Sequence, residues 1–230
     1  MIYHDFYKEI DERSIQLGLK NDEVWPILDG PFNEEIYSQQ AHKILYILKE
    51  PYDDKNAKGQ PYGGGWKLGA WKKSVTYEDV KPRTLTMLSY LTYGFYENKE
   101  YKDIPYPYND NAVPSSLLKT GIINTGKMPA HTNTSNARLN KIAQEWMEID
   151  MKQLKEYNPD IMIFGGTYDL YSYSLGLSGY YHKVNEDGVY GYSIKDDKLY
   201  ISAYHPSAFV NQNNYINRLL SIMREFTKRV

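Results

Sequence analysis

The chain has 230 residues, 41% of them apolar and 24% charged, with a formal net charge of −2. That balance suits a soluble globular protein with one sizeable core and argues against a strongly basic nucleic-acid binder. There are no cysteines, which excludes disulfides, thiolate zinc sites and cysteine-ligated iron–sulfur clusters.

The opening segment, "MIYHDFYKEIDERS", is charged and amphipathic and has no apolar core of the signal-peptide kind. Residues 1–40 read as a helical extension packed on one domain that spans 1–230. The apolar run "ILYIL" at 44–48 is among the longest and is far too short to span a bilayer. A cytoplasmic protein with no membrane partner is expected.

That run is the first of four continuous apolar stretches; the others are 121–124, 161–164 and 199–204. Continuous rather than alternating patterns suit strands covered on both faces, as in a parallel sheet. Helical periodicity falls between and after them, over 82–96, 136–157 and about 213–228. Ser135 is placed to cap the second helix and Asn158-Pro159 to stop it. "GGG" at 63–65 marks a sharply bent loop. Residues 103–116 form a proline-rich loop, and 182–202 reads as a hairpin-like excursion before the last strand. The expected fold is a three-layer α/β/α sandwich around a central, mainly parallel four-stranded sheet.

Charge is unevenly spread. The windows 55–77, 111–144 and 198–224 hold 12 Lys and Arg residues and none of the 29 acids. Converging in space, they would form a cationic face suited to a phosphate backbone.

In open parallel sheets, ligands bind beyond the carboxyl ends of the strands. Here those ends carry "KEPYDD" (49–54), "NTGKMPAHTN" (124–133), Gly165-Gly166 and His205-Pro206-Ser207. His205 precedes a proline, which holds its backbone extended. Glu50, Asn124 and His205 are expected to project into one crevice. Gly165-Gly166 lacks the Lys-Ser/Thr of a phosphate loop and reads as tight strand-to-helix packing. Asp53 and Asp54 are adjacent and would point apart, so no metal site is expected.

These motifs resemble the uracil-DNA glycosylase superfamily. Its best-known branch has G-Q-D-P-Y-H after the first strand, an asparagine ending the second and H-P-S after the last. This chain has "LKEPYD" (48–53), "IINT" (122–125) and "HPSA" (205–208) in that order. "GQPYGG" (59–64) stands where another branch has Gly-x-Pro-Phe-x-Gly. The resemblance implies a uracil-DNA glycosylase-like fold and hydrolysis of the N-glycosidic bond of uracil or a related damaged base in DNA, as in base excision repair. It assigns Glu50 to stabilise the cationic sugar and orient water. It assigns His205 to bond the departing base. Asn124 would read the base edge, Tyr62 would stack on the base and Tyr52 would crowd its C5 position. Phe209 would fill the gap left by the flipped base. Ser207 would contact a phosphate, with Lys127 nearby on the DNA. No cofactor is implied, the partner is DNA carrying a damaged base, and a monomer is expected. Leu48-Lys49 stands in place of Gly-Gln, setting a lysine beside Glu50. This favours an alternative, a weak or inactive nucleic-acid- or nucleobase-binding member of the fold. The modest net charge suits a second, a nucleoside hydrolase.

Overall fold

The protein is described here as a computed structural model covering residues 2–68, 74–131 and 134–229. Lys72 and Lys73 of the first acid-free window, and Thr132-Asn133 of the second motif, lie outside the described residues.

The four apolar stretches form strands close to the expected bounds: β2 (Ile44–Leu48), β5 (Thr120–Asn124), β6 (Ile161–Gly165) and β9 (Lys198–Ala203). They are parallel neighbours in the order β5-β2-β6-β9. β2, β5 and β6 are buried along their whole length, which is why their sequences do not alternate. The sheet is larger than the expected four strands. A two-residue strand, β1 (Gly30–Pro31), adds antiparallel to β5 at one edge. At the other edge the hairpin of β7 (Tyr181–Glu186) and β8 (Val189–Lys195) adds antiparallel to β9. The result is a seven-stranded mixed sheet with a parallel centre.

Helices cover both faces of that centre. Alternate residues of β2 divide between two apolar clusters. Ile44, Tyr46 and Leu48 face α3 (Arg83–Tyr96), α4 (Ala112–Ser115) and α7 (Gln212–Thr227). Leu45 and Ile47 face α1 (Tyr7–Gln16), α5 (Asn136–Tyr157) and α6 (Tyr168–Ser172). Trp146 of α5 is 1% exposed and anchors the second cluster; burying a large apolar side chain contributes about 1.5–3 kcal/mol. A short helix α2 (Glu34–Ser38) sends the buried Tyr37 into the same cluster. The N-terminal forty residues are therefore more than a helical extension, since they also supply the edge strand β1.

The caps behave as the sequence suggests. The Ser135 hydroxyl accepts from the Arg138 amide at 3.3 Å. Asn158 closes α5 in the left-handed region (φ 43°), with its amide on the Leu154 carbonyl at 3.1 Å. Pro159 follows. Asn211 caps α7 by accepting from the Asn214 amide at 3.1 Å.

The long segment between β2 and α3 carries a small ribbon, β3 (Asp54–Lys55) paired with β4 (Pro61–Tyr62). It is clipped to the N-terminal segment by bridges between Val24 and Gly63 and between Leu28 and Lys67. Gly64 needs to be glycine on two grounds. Its φ is +86°, and a Cβ there would sit 1.9 Å from the Trp25 carbonyl oxygen. Gly64→Ala is therefore expected to cost more than the ~1–2 kcal/mol of the left-handed backbone alone, read as a lower urea midpoint with an unchanged m-value.

Candidate functional site

The loops beyond the parallel strands are laced together mainly through main-chain groups. Thr125 N–H donates to the Leu48 carbonyl at 2.8 Å, Gly126 N–H to Lys49 at 2.9 Å and Ala130 N–H to Pro51 at 3.0 Å. Across β2, the Thr167 hydroxyl donates to the Ile47 carbonyl at 2.8 Å. Gly166 N–H reaches the Ala203 carbonyl at 2.8 Å. The chain leaves β2 toward β5 on one side and later enters β6 on the other. That topological switch opens a crevice above the strand ends.

Glu50 lies in this region but points toward α5. Its side chain is only 5% exposed and meets the Arg138 guanidinium at 3.2 Å. The Thr134 hydroxyl donates to its other oxygen. Glu50 lines a hollow of about 370 Å³ with Gly126, Ile142 and Trp146 among others. Lys49 turns elsewhere. It lies over Gly166, where a Cβ would be 3.2 Å from the lysine Cε. The cation expected to face Glu50 is thus replaced by Arg138, 88 residues further along the chain.

His205 is fixed by its own turn. Ser207 N–H donates to Nδ1 at 3.2 Å, and the Ser207 hydroxyl lies 2.8 Å from the same nitrogen. A backbone N–H can only donate, so Nδ1 is the acceptor and the neutral ring carries its proton on Nε2. Burial, and then the nearby Lys49 charge, push the imidazole down to about 4. His205 is therefore a neutral hydrogen-bond donor at ordinary pH. An unfolded-state imidazole titrates near 6.5. As pH falls below that value the unfolded chain takes up the proton first, so this residue lowers stability progressively down to about pH 4. Pro206 packs on bare Gly165, where a Cβ would meet its Cδ at 3.1 Å.

Asn124 ends β5 opposite Leu48 and is 8% exposed. Its main chain is held by a buried charge cluster. The Asp29 carboxylate accepts from the Asn124 amide at 2.6 Å. The Lys127 ammonium donates to the Asn124 carbonyl at 2.8 Å. Lys127, expected on DNA, is instead fully buried. It meets Asp29 at 2.9 Å, Asp150 at 2.7 Å and Gln153 at 2.9 Å. Desolvation raises Asp150 to about 6 despite the lysine, and the Tyr171 hydroxyl donates to it at 2.6 Å. The available signal was Asp150 and Gln153 themselves, polar residues on the apolar stripe of α5 beside Trp146, Ile149 and Leu154. Buried polar side chains on such a stripe require partners.

The remaining predicted residues are on the surface. Tyr52 is 53% exposed, Tyr62 41% and Phe209 99%, the last with the Arg83 guanidinium 5.6 Å from its ring centre. Ser207 is exposed beside His205. Asp53 accepts from the Gly64 amide at 2.6 Å and the Trp66 indole at 3.0 Å, tying the first motif to the glycine-rich loop.

Asn124 ends β5 and His205 follows β9, the outer strands of the parallel set, whose axes lie three strand spacings or ~14 Å apart, with Glu50 turned to the α5 side between them. They share one end of the sheet without forming a closed triad. Many cations of the acid-free windows are engaged. Lys67, Lys119, Lys127, Arg138, Lys141 and Arg218, six of the twelve, are paired with acids from elsewhere. Among the described residues no three His, Asp or Glu side chains gather as metal ligands do, and no helix is long and apolar enough to cross a membrane.

Lys127→Met would leave two carboxylates buried without their cation. It is expected to destabilise the protein by about 3–5 kcal/mol in urea unfolding. A loss under 1 kcal/mol would mean the cluster is not load-carrying. No protein-family model matches the chain, and no curated protein matches it.

Proposed function

We propose that the protein is a glycosylase of the uracil-DNA glycosylase type, hydrolysing the N-glycosidic bond of uracil or a related damaged base in DNA. The observation that carries this reading is His205. It is neutral, tautomerically fixed and presents Nε2–H at the carboxyl end of a parallel strand. A base leaving as an anion needs such a donor, aimed in advance and costing no proton transfer. Asn124 supports the reading at the far side of the same sheet end, because its side-chain amide has no hydrogen-bond partner among the described residues. Phe209, almost fully exposed with the Arg83 guanidinium beside its ring, has the character of a wedge.

A second reading, binding without turnover, draws on one specific observation. Glu50 is already engaged by the Arg138 guanidinium and the Thr134 hydroxyl, so the carboxylate that would support the cationic sugar is committed elsewhere.

Single- and double-stranded oligonucleotides carrying uracil, hypoxanthine or xanthine separate the two. The first reading expects an alkali-labile abasic site in at least one of them. It expects a loss of about 10²–10³-fold in His205→Ala and loss of cleavage in Glu50→Ala. Because the imidazole stays neutral to about pH 4, the rate should show no acid limb centred near 6.5; such a limb would count against His205 as the neutral donor. Salt-sensitive DNA retention with no cleavage would establish the second reading instead.

A further inference from the structure

A hollow of about 690 Å³ is lined by Lys49 but not by Glu50. Its walls are the loop over Gly166 with the start of α6, the first turns of α5, and the β7–β8 hairpin. Nothing in the reading above uses it. Its size falls within the range of small-molecule sites.

The hairpin is shaped toward this cleft. Along β7, Tyr181 and Lys183 are two residues apart and so share a face. The ladder to β8 then slips between Lys183 and Glu186, and Asn185 takes a left-handed backbone (φ 55°). The ladder from β8 to β9 slips between Val189 and Gly191, around Tyr190. Such bulges re-aim side chains, and Asn185 and Tyr190 both line the cleft. Gly191 leaves room for the Tyr181 ring to lie across β8, since a Cβ there would be 2.6 Å from the tyrosine Cζ.

The chemistry of the walls is specific. Lys49 and Lys183 both line the cleft, and neither ammonium has an ion-pair or hydrogen-bond partner among the described residues. Two unpaired cations facing one hollow suit a phosphate. Tyr181 and Tyr190 are 43% and 44% exposed; each packs on a neighbouring tyrosine, Tyr168 and Tyr204 respectively, and still leaves apolar surface against which a flat ring can stack. Asn185 adds an amide able to donate and accept. Asp169, at the α6 wall, joins neither lysine and remains an acceptor for hydroxyl groups.

We propose that this cleft is a second binding site, for a nucleoside monophosphate. The phosphate is held between Lys49 and Lys183 and the base stacks on Tyr181 and Tyr190. The inference does not rest on the glycosylase reading and stands if that reading fails.

Calorimetric titration with AMP tests it, with inorganic phosphate and ribose 5-phosphate as controls. The expected result is saturable binding of one AMP per chain, at least tenfold weaker in Lys183→Ala and again in Tyr190→Ala, and unchanged in His205→Ala. Ribose 5-phosphate should bind more weakly than AMP. Both hairpin residues are exposed, so their variants should fold, as circular dichroism would verify. The proposal is overturned by no AMP binding at millimolar concentration or by binding indifferent to both hairpin substitutions. Loss of binding in His205→Ala would also overturn it, since AMP would then occupy the strand-end site. Equal affinity for AMP and inorganic phosphate would remove the nucleoside from the assignment and so refute it. None of these outcomes depends on whether uracil is cleaved from DNA.

Discussion

A single buried ammonium connects the parts of the molecule that sequence keeps apart. Lys127 reaches Asp29 from the N-terminal segment, the Asn124 carbonyl at the end of β5, and Asp150 and Gln153 from the middle of α5. Removing one lysine and two carboxylates from water is costly, and a hydrophobic replacement of similar volume is often no less stable. The return here is positional. Asp29 accepts from the Asn124 amide as well as from Lys127, so the main chain at the strand end is held on both its N–H and its C=O. An apolar cluster would fill the space without fixing that residue.

The two residues expected to do opposite halves of one reaction have been treated very differently by the fold. His205 is held by its nearest neighbours in sequence, through Ser207 on Nδ1, which leaves the proton on Nε2. Glu50 is held by distant residues, Arg138 and Thr134, and both of its oxygens are engaged. Lys49 lies between them in effect, lowering the affinity of His205 for a proton while leaving Glu50 to another cation. On the proposed reading, the hydrogen-bond-donor half of the site is better prepared than the carboxylate half. A substrate that displaced Arg138, drawing it onto a phosphate, would free the acid.

How legible each feature was follows from the range of its interactions. β2, β5, β6 and β9 could be read because burial on both faces writes itself locally as continuous apolar runs. α5 could be read from its stripe and from Ser135 and Asn158, which act within one turn. β1 could not. Gly30-Pro31 is a poor strand by composition, and its pairing with Gly121 and Ile122 is decided by where the N-terminal segment docks. Lys127 looked like a surface cation because nothing within ten residues predicts Asp29 or Asp150 as partners. The strand-end motifs identified a shared end of the sheet correctly in topology, but the direction in which Glu50 points depends on Arg138, which no local pattern specifies.

The hairpin at the far edge poses a problem of its own. An edge strand exposes unpaired backbone groups, and proteins protect such edges with charges and bulges. β7 has both, including Glu186 paired with Arg218 of α7. Protection alone, however, would favour charged or polar side chains along the exposed face. Instead the hairpin presents two half-exposed tyrosines, with the bulge on β8 falling at Tyr190 and Gly191 kept bare beneath Tyr181. Exposed apolar rings beside an open edge are a liability in the absence of something to cover them. Tyr190 also packs against Tyr204, 4.8 Å between ring centres, next in sequence to His205. The edge hairpin and the strand leading to His205 therefore share one aromatic contact.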